Sequence, residues 1–366
     1  MTFENFGLVL SGGGARGAYE AGVVKFLAEQ GLQPSMISGA SIGSFNGAVL
    51  AAASDIQEGA KKLESLWRGI DPERVLKLDS RLPLQLLIGM LLVGGREIAT
   101  MNPALRLGYM GLVRGLSSIG SIEEFMDFLW SKPVLESASD GILDNRPIME
   151  LLEQQISLDA LNAGIPLWIS VYPSQGLARD LIRFLAASWL GIGNTDESHY
   201  FRVQDLAREE QIRVLLASAA LPLAYESQGI DGRRYVDGGV GNTKESKGNT
   251  PLVPLVEAGI KRCIVVHLSN GSFWDRYDGY QDVEIIEVRP RKNVAPEGFT
   301  STLNFNLSKI AMLIDLGYED AKYHIGNALT ALNLNSTRKK VAATLQDRIQ
   351  ALEEQKFAEA IRRLKE

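Results

Sequence analysis

Residues 6–53 read FGLVLSGGGARGAYEAGVVKFLAEQGLQPSMISGASIGSFNGAVLAAA. Phe6–Leu10 is a short apolar run that stops at glycines, which suits a buried strand. Gly17–Gln30 follows as a helix, with Ala21, Val24, Leu27 and Ala28 at helical spacing and Gly31 at its end. Met36–Gly39 is a second short strand, and the alanine-rich Ile42–Ala53 is the next helix. Strand, glycine loop, helix, strand, turn and helix in that order imply parallel strands joined by crossover helices. The fold class is therefore α/β.

The rest of the chain extends this pattern. Strand signals return at Ile165–Tyr172, at Arg262–Leu268 (RCIVVHL) and at Val283–Val288, with a helix over Gln211–Ala220. Tyr225–Val236 alternates around Asp231-Gly232, a hairpin signal. Between roughly 55 and 160 the sequence is mostly helical; Ser121 with Glu124 is a capping pair, and Asp144-Asn145-Arg146-Pro147 starts a helix. From Ser301 onward it is helical again, and Val341, Leu345, Ile349, Leu352, Ile361 and Leu364 share a face that is expected to pack on the domain. No linker interrupts the chain. The expectation is one domain over 1–366, with a core over about 6–290, a helical insertion over about 55–160 and a helical tail over about 301–366.

Composition excludes several functions. Across 366 residues, 45% are hydrophobic and 22% charged, an ordinary globular mixture. Lys and Arg number 38 against 44 Asp and Glu, a net charge of −6, so no basic footprint marks a nucleic-acid partner. The single cysteine, Cys263, forms no internal disulfide, and three histidines (His199, His267, His324) make a histidine-rich metal site improbable. No metal and no cofactor are expected. The N-terminus lacks a basic segment before its apolar run, so it does not read as a signal peptide. The longest apolar stretch, Leu82–Val93, is too short to span a bilayer. A cytoplasmic protein that touches a membrane surface is the expectation. Leu82–Val93, which reads equally well as a buried core helix, and the amphipathic Leu177–Leu190 are the candidates to lie in that surface.

Three places carry chemistry. Ser11-Gly12-Gly13-Gly14-Ala15-Arg16-Gly17 lies between the first strand and the first helix. Consecutive glycines expose backbone N–H groups to an anion, the helix end adds positive potential, and Arg16 adds a charge. The same stretch matches G-x-G-x-x-G at Gly12, Gly14 and Gly17, the dinucleotide fingerprint, but the second strand ends in Gly39-Ala40-Ser41, without the acid that would hold a ribose. Gly39-Ala40-Ser41-Ile42-Gly43 is a G-x-S-x-G at a strand-to-helix turn, a position that exposes a serine as a nucleophile. Asp237-Gly238-Gly239 follows the hairpin and on its own reads as a turn. A serine nucleophile needs a base. Asp237 fits either as the base of a Ser–Asp dyad or as the orienting acid of a Ser-Asp-His esterase of α/β-hydrolase type, with His267 as base.

Gly-Gly-Gly-Ala-Arg-Gly after the first strand, Gly-Ala-Ser-Ile-Gly about 25 residues on, and a distant Asp-Gly-Gly together resemble the patatin-like phospholipases of bacterial type. The resemblance covers roughly residues 6–290. It implies a three-layer fold with a central, mostly parallel sheet flanked by helices. It implies Ser41 as nucleophile, Asp237 as base, Gly12, Gly13, Gly14 and Arg16 as the oxyanion loop, and Gly39 and Gly43 as the elbow. The implied activity is metal-free hydrolysis of the acyl esters of phospholipids or lysophospholipids. Some bacterial members are effectors switched on by a partner protein or a cyclic nucleotide, so an activator is a further expectation, as is an oligomer. One departure is visible: the family's Asn-x-Pro comes late here, as Asn249-Thr250-Pro251 after the polar stretch 241–248.

Overall fold

The structure, a computed structural model, describes residues 5–70, 154–174, 195–219, 227–242, 245–270, 280–294 and 306–365. The expected helix starts at Ser121 and Asp144, and both membrane-surface candidates, lie outside the described residues.

The chain begins with β1 (Gly7–Leu10), α1 (Ala18–Glu29), β2 (Met36–Ala40), α2 (Ile42–Ala51) and α3 (Ile56–Arg68). The first four lie within two residues of the sequence expectation, and α3 opens the stretch read as mostly helical. α1 ends in a Schellman turn: Leu32 N–H bonds the Leu27 carbonyl at 2.9 Å and Gly31 N–H that of Ala28 at 3.1 Å. Gly31 takes φ 64° to make that turn. Asp55 caps α3 by accepting the Glu58 N–H at 2.7 Å.

After α4 (Leu158–Ala163) come β3 (Leu167–Pro173), β4 (His199–Arg202), α5 (Arg208–Ala219), β5 (Gln228–Ile230) and β6 (Arg233–Asp237). Asp231 and Gly232 join the last two strands with φ 45° and 72°, the positive-φ pair that a two-residue hairpin demands. The chain closes with α6 (Val253–Glu257), β7 (Arg262–Val266), β8 (Glu284–Val288) and α7 (Leu307–Lys365).

The eight strands form one sheet in the order β5-β6-β3-β2-β1-β7-β8, with β4 also on β3. The stretch β3-β2-β1-β7-β8 is parallel throughout, whereas β4 and β6 pair antiparallel with β3 and β5 with β6. Burial follows the strand alternation. Leu8, Leu10, Ile37, Leu167, Ile169, Ile264 and Val266 face the larger core under α1, α2, α3, α5 and α7. Val9, Cys263 and Val265 face a thinner core with Leu252 and Leu255 of α6. Layers of helix on both sides of a mostly parallel sheet match the expectation.

Two features differ from it. His199, for which the sequence reading gave no strand, sits on β4, half-buried, with Nδ1 3.3 Å from the Tyr235 hydroxyl. The tail is one continuous helix of 59 residues, roughly 88 Å long. Its first part docks on α1, where Gly22 and Gly317 let the backbones touch: a Cβ on Gly22 would collide with the Ile314 carbonyl, and one on Gly317 with that of Tyr19. Ile310, Leu313, Ile314, Ala321 and Ile325 are buried there. Leu345, expected on a packed face, is 53% exposed instead. Helical periodicity marks an apolar stripe but does not reveal whether an element of the same chain lies opposite it.

Candidate functional site

Ser41 stands between β2 and α2 with φ 51° and ψ −124°, a conformation that non-glycine residues rarely adopt and that costs about 1–3 kcal/mol. The two glycines around it permit the turn. A Cβ on Gly39 would strike the Gly43 peptide, and one on Gly43 would strike the Leu10 carbonyl. β2, α2 and β1 therefore pack as closely as backbones allow, and the serine is lifted out at the carboxyl end of the parallel strands. Ser41 is 8% exposed. Its N–H donates to Ser218 Oγ on α5 at 2.9 Å.

Asp237 ends β6 and is 2% exposed. The sheet brings it to Ser41: β3 lies between β2 and β6, with Ser170 opposite Ala40 and Val171 opposite Asp237. Asp237 Oδ1 accepts the Gly239 N–H at 2.7 Å. Oδ2 has no partner at normal hydrogen-bond geometry. Burial pushes the carboxyl up from 3.8 to about 6, against the Ser41 hydroxyl and the Gly239 N–H, which both favour its charged form. A carboxylate so placed is ionised at neutral pH and basic enough to take a proton.

The glycine loop lies on the other side of Ser41. A Cβ on Gly12 would collide with the Asn249 side-chain oxygen and stand 3.0 Å from the Ser41 Cβ, so glycine lets the loop come this close. Gly12 N–H is already bonded to the Asn249 carbonyl at 3.2 Å. Gly12 thus lies in the loop as a close-approach residue whose N–H is already engaged, whereas the N–H groups of Gly13 and Gly14 have no backbone partner among the described residues. Arg16 is also placed differently. Its Nε donates to the Gly13 carbonyl at 3.1 Å and its Nη1 to the Leu268 carbonyl at 3.2 Å, so the guanidinium braces the loop.

Asn249 is the residue that sequence reasoning undervalued. The polar stretch folds back, with Thr250 N–H on the Ser246 carbonyl at 2.9 Å and Gly248 pressed against the Gly238 carbonyl. Asn249 then returns to the loop, its Nδ2 donating to the Gly12 carbonyl at 3.4 Å. Thr250 Oγ1 and Ser11 Oγ are 3.0 Å apart. The late Asn-Thr-Pro signal was in the sequence, but only the fold shows that the excursion closes on itself.

The triad alternative is overturned. His267 follows β7, and β3, β2 and β1 separate that strand from β6. Four strand spacings amount to about 19 Å, so Asp237 cannot orient His267. The imidazole, 1% exposed, lies 3.4 Å from Glu287 Oε2 instead. Burial holds its pKa below the usual value. The dinucleotide alternative finds Ser41, not an acid, at the tip of β2. Among the described residues, no group of three His, Cys, Asp or Glu side chains could hold a metal ion.

Comparison with known proteins places these features in a family. The family model described as patatin-like phospholipase matches residues 8–244. Lysophospholipase nte1 of Aspergillus terreus is 45% identical over 72 residues, which is 18% of this chain and 5% of that protein. Lysophospholipase NTE1 of Saccharomyces cerevisiae is 42% identical over 75 residues, 19% of this chain and 4% of that protein. The matched segment therefore spans about one-twentieth of these relatives' length. Among solved structures, VipD from Legionella pneumophila aligns with a TM-score of 0.44 at 16% identity, covering 88% of this chain and 67% of that one. The type III effector protein ExoU aligns with a TM-score of 0.36 at 14% identity, covering 88% and 53%.

Proposed function

The chain belongs to the patatin-like phospholipase family, and from that premise we propose that it is a serine lipid acyl hydrolase working through a Ser41–Asp237 dyad. The observation that carries the proposal is a strained serine elbow beside a buried, half-satisfied carboxylate. Ser41 Oγ attacks the ester carbonyl carbon, and its proton passes to Asp237 Oδ2. The carbonyl oxygen takes the negative charge and is met by the N–H groups of Gly13 and Gly14, aided by the positive end of α1. As the tetrahedral species collapses, the ester C–O bond breaks and the leaving alcohol takes the proton from Asp237. Water then attacks the acyl-serine with Asp237 as base, releasing the fatty acid and restoring Ser41.

The substrate class is a phospholipid or lysophospholipid met at the cytoplasmic face of a membrane. Among the described residues no helix is long and apolar enough to cross a membrane, and the apolar Leu82–Val93 and the amphipathic Leu177–Leu190 are the segments proposed to meet the bilayer surface. Activity on phosphatidylcholine vesicles is expected to exceed that on monomeric short-chain esters, and assays with and without cyclic nucleotides or a partner protein test for an activator.

The decisive experiment is covalent labelling. A fluorophosphonate probe should modify Ser41 and no other residue. Ser41→Ala should lose at least roughly a thousandfold of fatty-acid release while keeping its melting temperature. Labelling at a different serine, or a folded Ser41→Ala that retains a tenth of the activity, overturns the assignment.

A further inference from the structure

We propose that Ser218 on α5 is a positioning residue that holds the backbone of the nucleophile, an inference that rests on the Ser41 assignment above. Three hydrogen bonds meet at its hydroxyl. Ser218 Oγ lies 2.7 Å from the Ser170 carbonyl, 2.9 Å from the Ser41 nitrogen and 2.7 Å from Ser44 Oγ. A serine hydroxyl has one proton and two lone pairs. The carbonyl of Ser170 can only accept, so it takes that proton. Both lone pairs then face donors, the Ser41 N–H and the Ser44 O–H, and the orientation of every hydrogen in the cluster is determined. Ser218, Ser44 and Ser170 are fully buried, so water does not substitute for any member.

The position of this knot in the fold gives it a role in the reaction. Ser41 and Ser44 belong to the β2–α2 elbow, and Ser170 belongs to β3, the strand between the elbow and the strand that carries Asp237. Ser218 ties the peptide nitrogen of the nucleophile to that intermediate strand. It therefore fixes where the strained Ser41 backbone sits relative to Asp237. Ser41 N–H is used by this bond, so it is a fixed anchor rather than an oxyanion donor. Removal of the Ser218 hydroxyl leaves a buried N–H and a buried hydroxyl without their acceptor, and the elbow is free to relax away from φ 51°. A reaction whose geometry must hold to a fraction of an ångström loses rate when its nucleophile drifts, while binding of the lipid chain is untouched.

The test reads Ser41 reactivity directly, with a fluorophosphonate probe. Ser218→Ala should slow the limiting rate of Ser41 modification by about 10–100-fold while the half-saturating probe concentration stays within about twofold. Ser218→Cys keeps the shape but offers a poor acceptor, so it should be comparably slow; Ser218→Thr keeps the hydroxyl and should return to within about threefold of wild type. Asp320→Asn, a destabilised variant remote from the elbow, should label at the wild-type rate below its melting temperature. A folded Ser218→Ala that labels at the wild-type rate overturns the inference and leaves the nucleophile assignment standing. If Ser218→Ala does not fold, Ser218→Cys decides: labelling at the wild-type rate shows that shape alone matters. Absence of Ser41 labelling in the wild-type chain brings down the functional assignment together with this inference.

Discussion

Asp237 at the end of β6 and Asp320 on α7 are both withdrawn from water, yet their surroundings differ in almost every respect. Asp320 is saturated. Its Oδ2 accepts the Tyr19 hydroxyl at 3.1 Å and the Arg291 N–H at 3.1 Å, and its Oδ1 accepts Arg291 Nε at 2.6 Å. Arg291 in turn lies 4.6 Å over the Tyr323 ring. Asp237 has a single backbone donor on Oδ1, the Ser41 hydroxyl beside it, and no basic side chain bonded to it among the described residues. Burial without a cation raises a carboxylate's proton affinity, as it does for Asp237. Asp320, with its donors from Tyr19 and Arg291, ties α7 to α1 and to the segment after β8, whereas the half-satisfied Asp237 suits the proton-accepting role proposed for it. The same residue type in the same degree of burial becomes cement or chemistry according to how many of its lone pairs are filled.

The largest way to break this comparison is at Asp237 itself. Asp237→Asn removes the proton acceptor and should reduce fatty-acid release by at least roughly a thousandfold, measured on phosphatidylcholine vesicles. The wild-type enzyme should lose activity about tenfold per pH unit below about 6, because the carboxyl is protonated there. A rate that is flat from pH 7 to pH 4.5 would show that Asp237 is not the base.

Asp320 should answer in stability and not in turnover. Asp320→Asn places an amide where three donors converge, and breaking a buried, bonded pair costs about 3–5 kcal/mol. The lower end, about 3 kcal/mol, is expected because Arg291 is partly exposed. Urea unfolding should show that loss, and turnover per folded molecule should stay within about twofold of wild type. A variant as stable as wild type would mean that the α7 seam is held by its close backbone approach and buried apolar side chains without help from Asp320.

Asp237→Asn should move stability the other way, by a smaller amount. The folded pKa of about 6 lies above the ordinary 3.8. Protonation is thus favoured by folding, and stability falls as pH rises through the folded value. The penalty is absent below about pH 4 and complete above about pH 7. A shift of this size corresponds to at most about 3 kcal/mol, and the asparagine, which is neutral at all pH values, avoids it. The variant should therefore be about 2 kcal/mol more stable than wild type at pH 8, and the gap should close by pH 4. Equal stability at both pH values would show that the carboxylate is better solvated than its burial implies.

How much of this was legible in the sequence depends on separation along the chain. The β1–α1–β2–α2 unit was readable because its signals are local: an apolar run, glycines, a helical period and a serine at a strand end. The Asp231-Gly232 turn was readable because few residue pairs tolerate two positive φ values. Asp237 gave a turn signal only, and its meaning came from the company of the other two motifs. The Ser41–Ser218–Ser170 knot left no trace, since its serines lie 177 and 48 positions apart and serine is common in loops and helices alike. Arg291, Asp320 and Tyr19 were equally silent. β4 was missed because HYFR shows neither alternation nor a β-branched run, and pairing with β3 decides its state. Arg16 was read as a charge because the sequence gives its sign but not the carbonyls it meets.

That difference makes the last and smallest prediction, Arg16→Ala. The peptide joining Gly13 and Gly14 is trans, as no described peptide bond is cis, so its C=O and N–H point in opposite directions. Arg16 binds the Gly13 carbonyl through its own N–H at 3.3 Å and through Nε at 3.1 Å. By fixing where that carbonyl points, it fixes where the Gly14 N–H points. Removal of an oxyanion donor costs about 10²–10³ in kcat; here the donor remains and only its aim loosens. Arg16 N–H and the glycine backbone survive the substitution, so part of the constraint survives too. Arg16→Ala should lower kcat about tenfold, or about 1.4 kcal/mol in the barrier, with KM within about twofold, because the oxyanion exists only in the transition state. Arg16→Lys should not restore the rate, since a single ammonium does not bridge Gly13 and Leu268 as the planar guanidinium does. A rise in KM with kcat unchanged would show instead that Arg16 binds the lipid head group, and the contrast between charges that chemistry uses and charges that hold the fold would have to be redrawn at this residue.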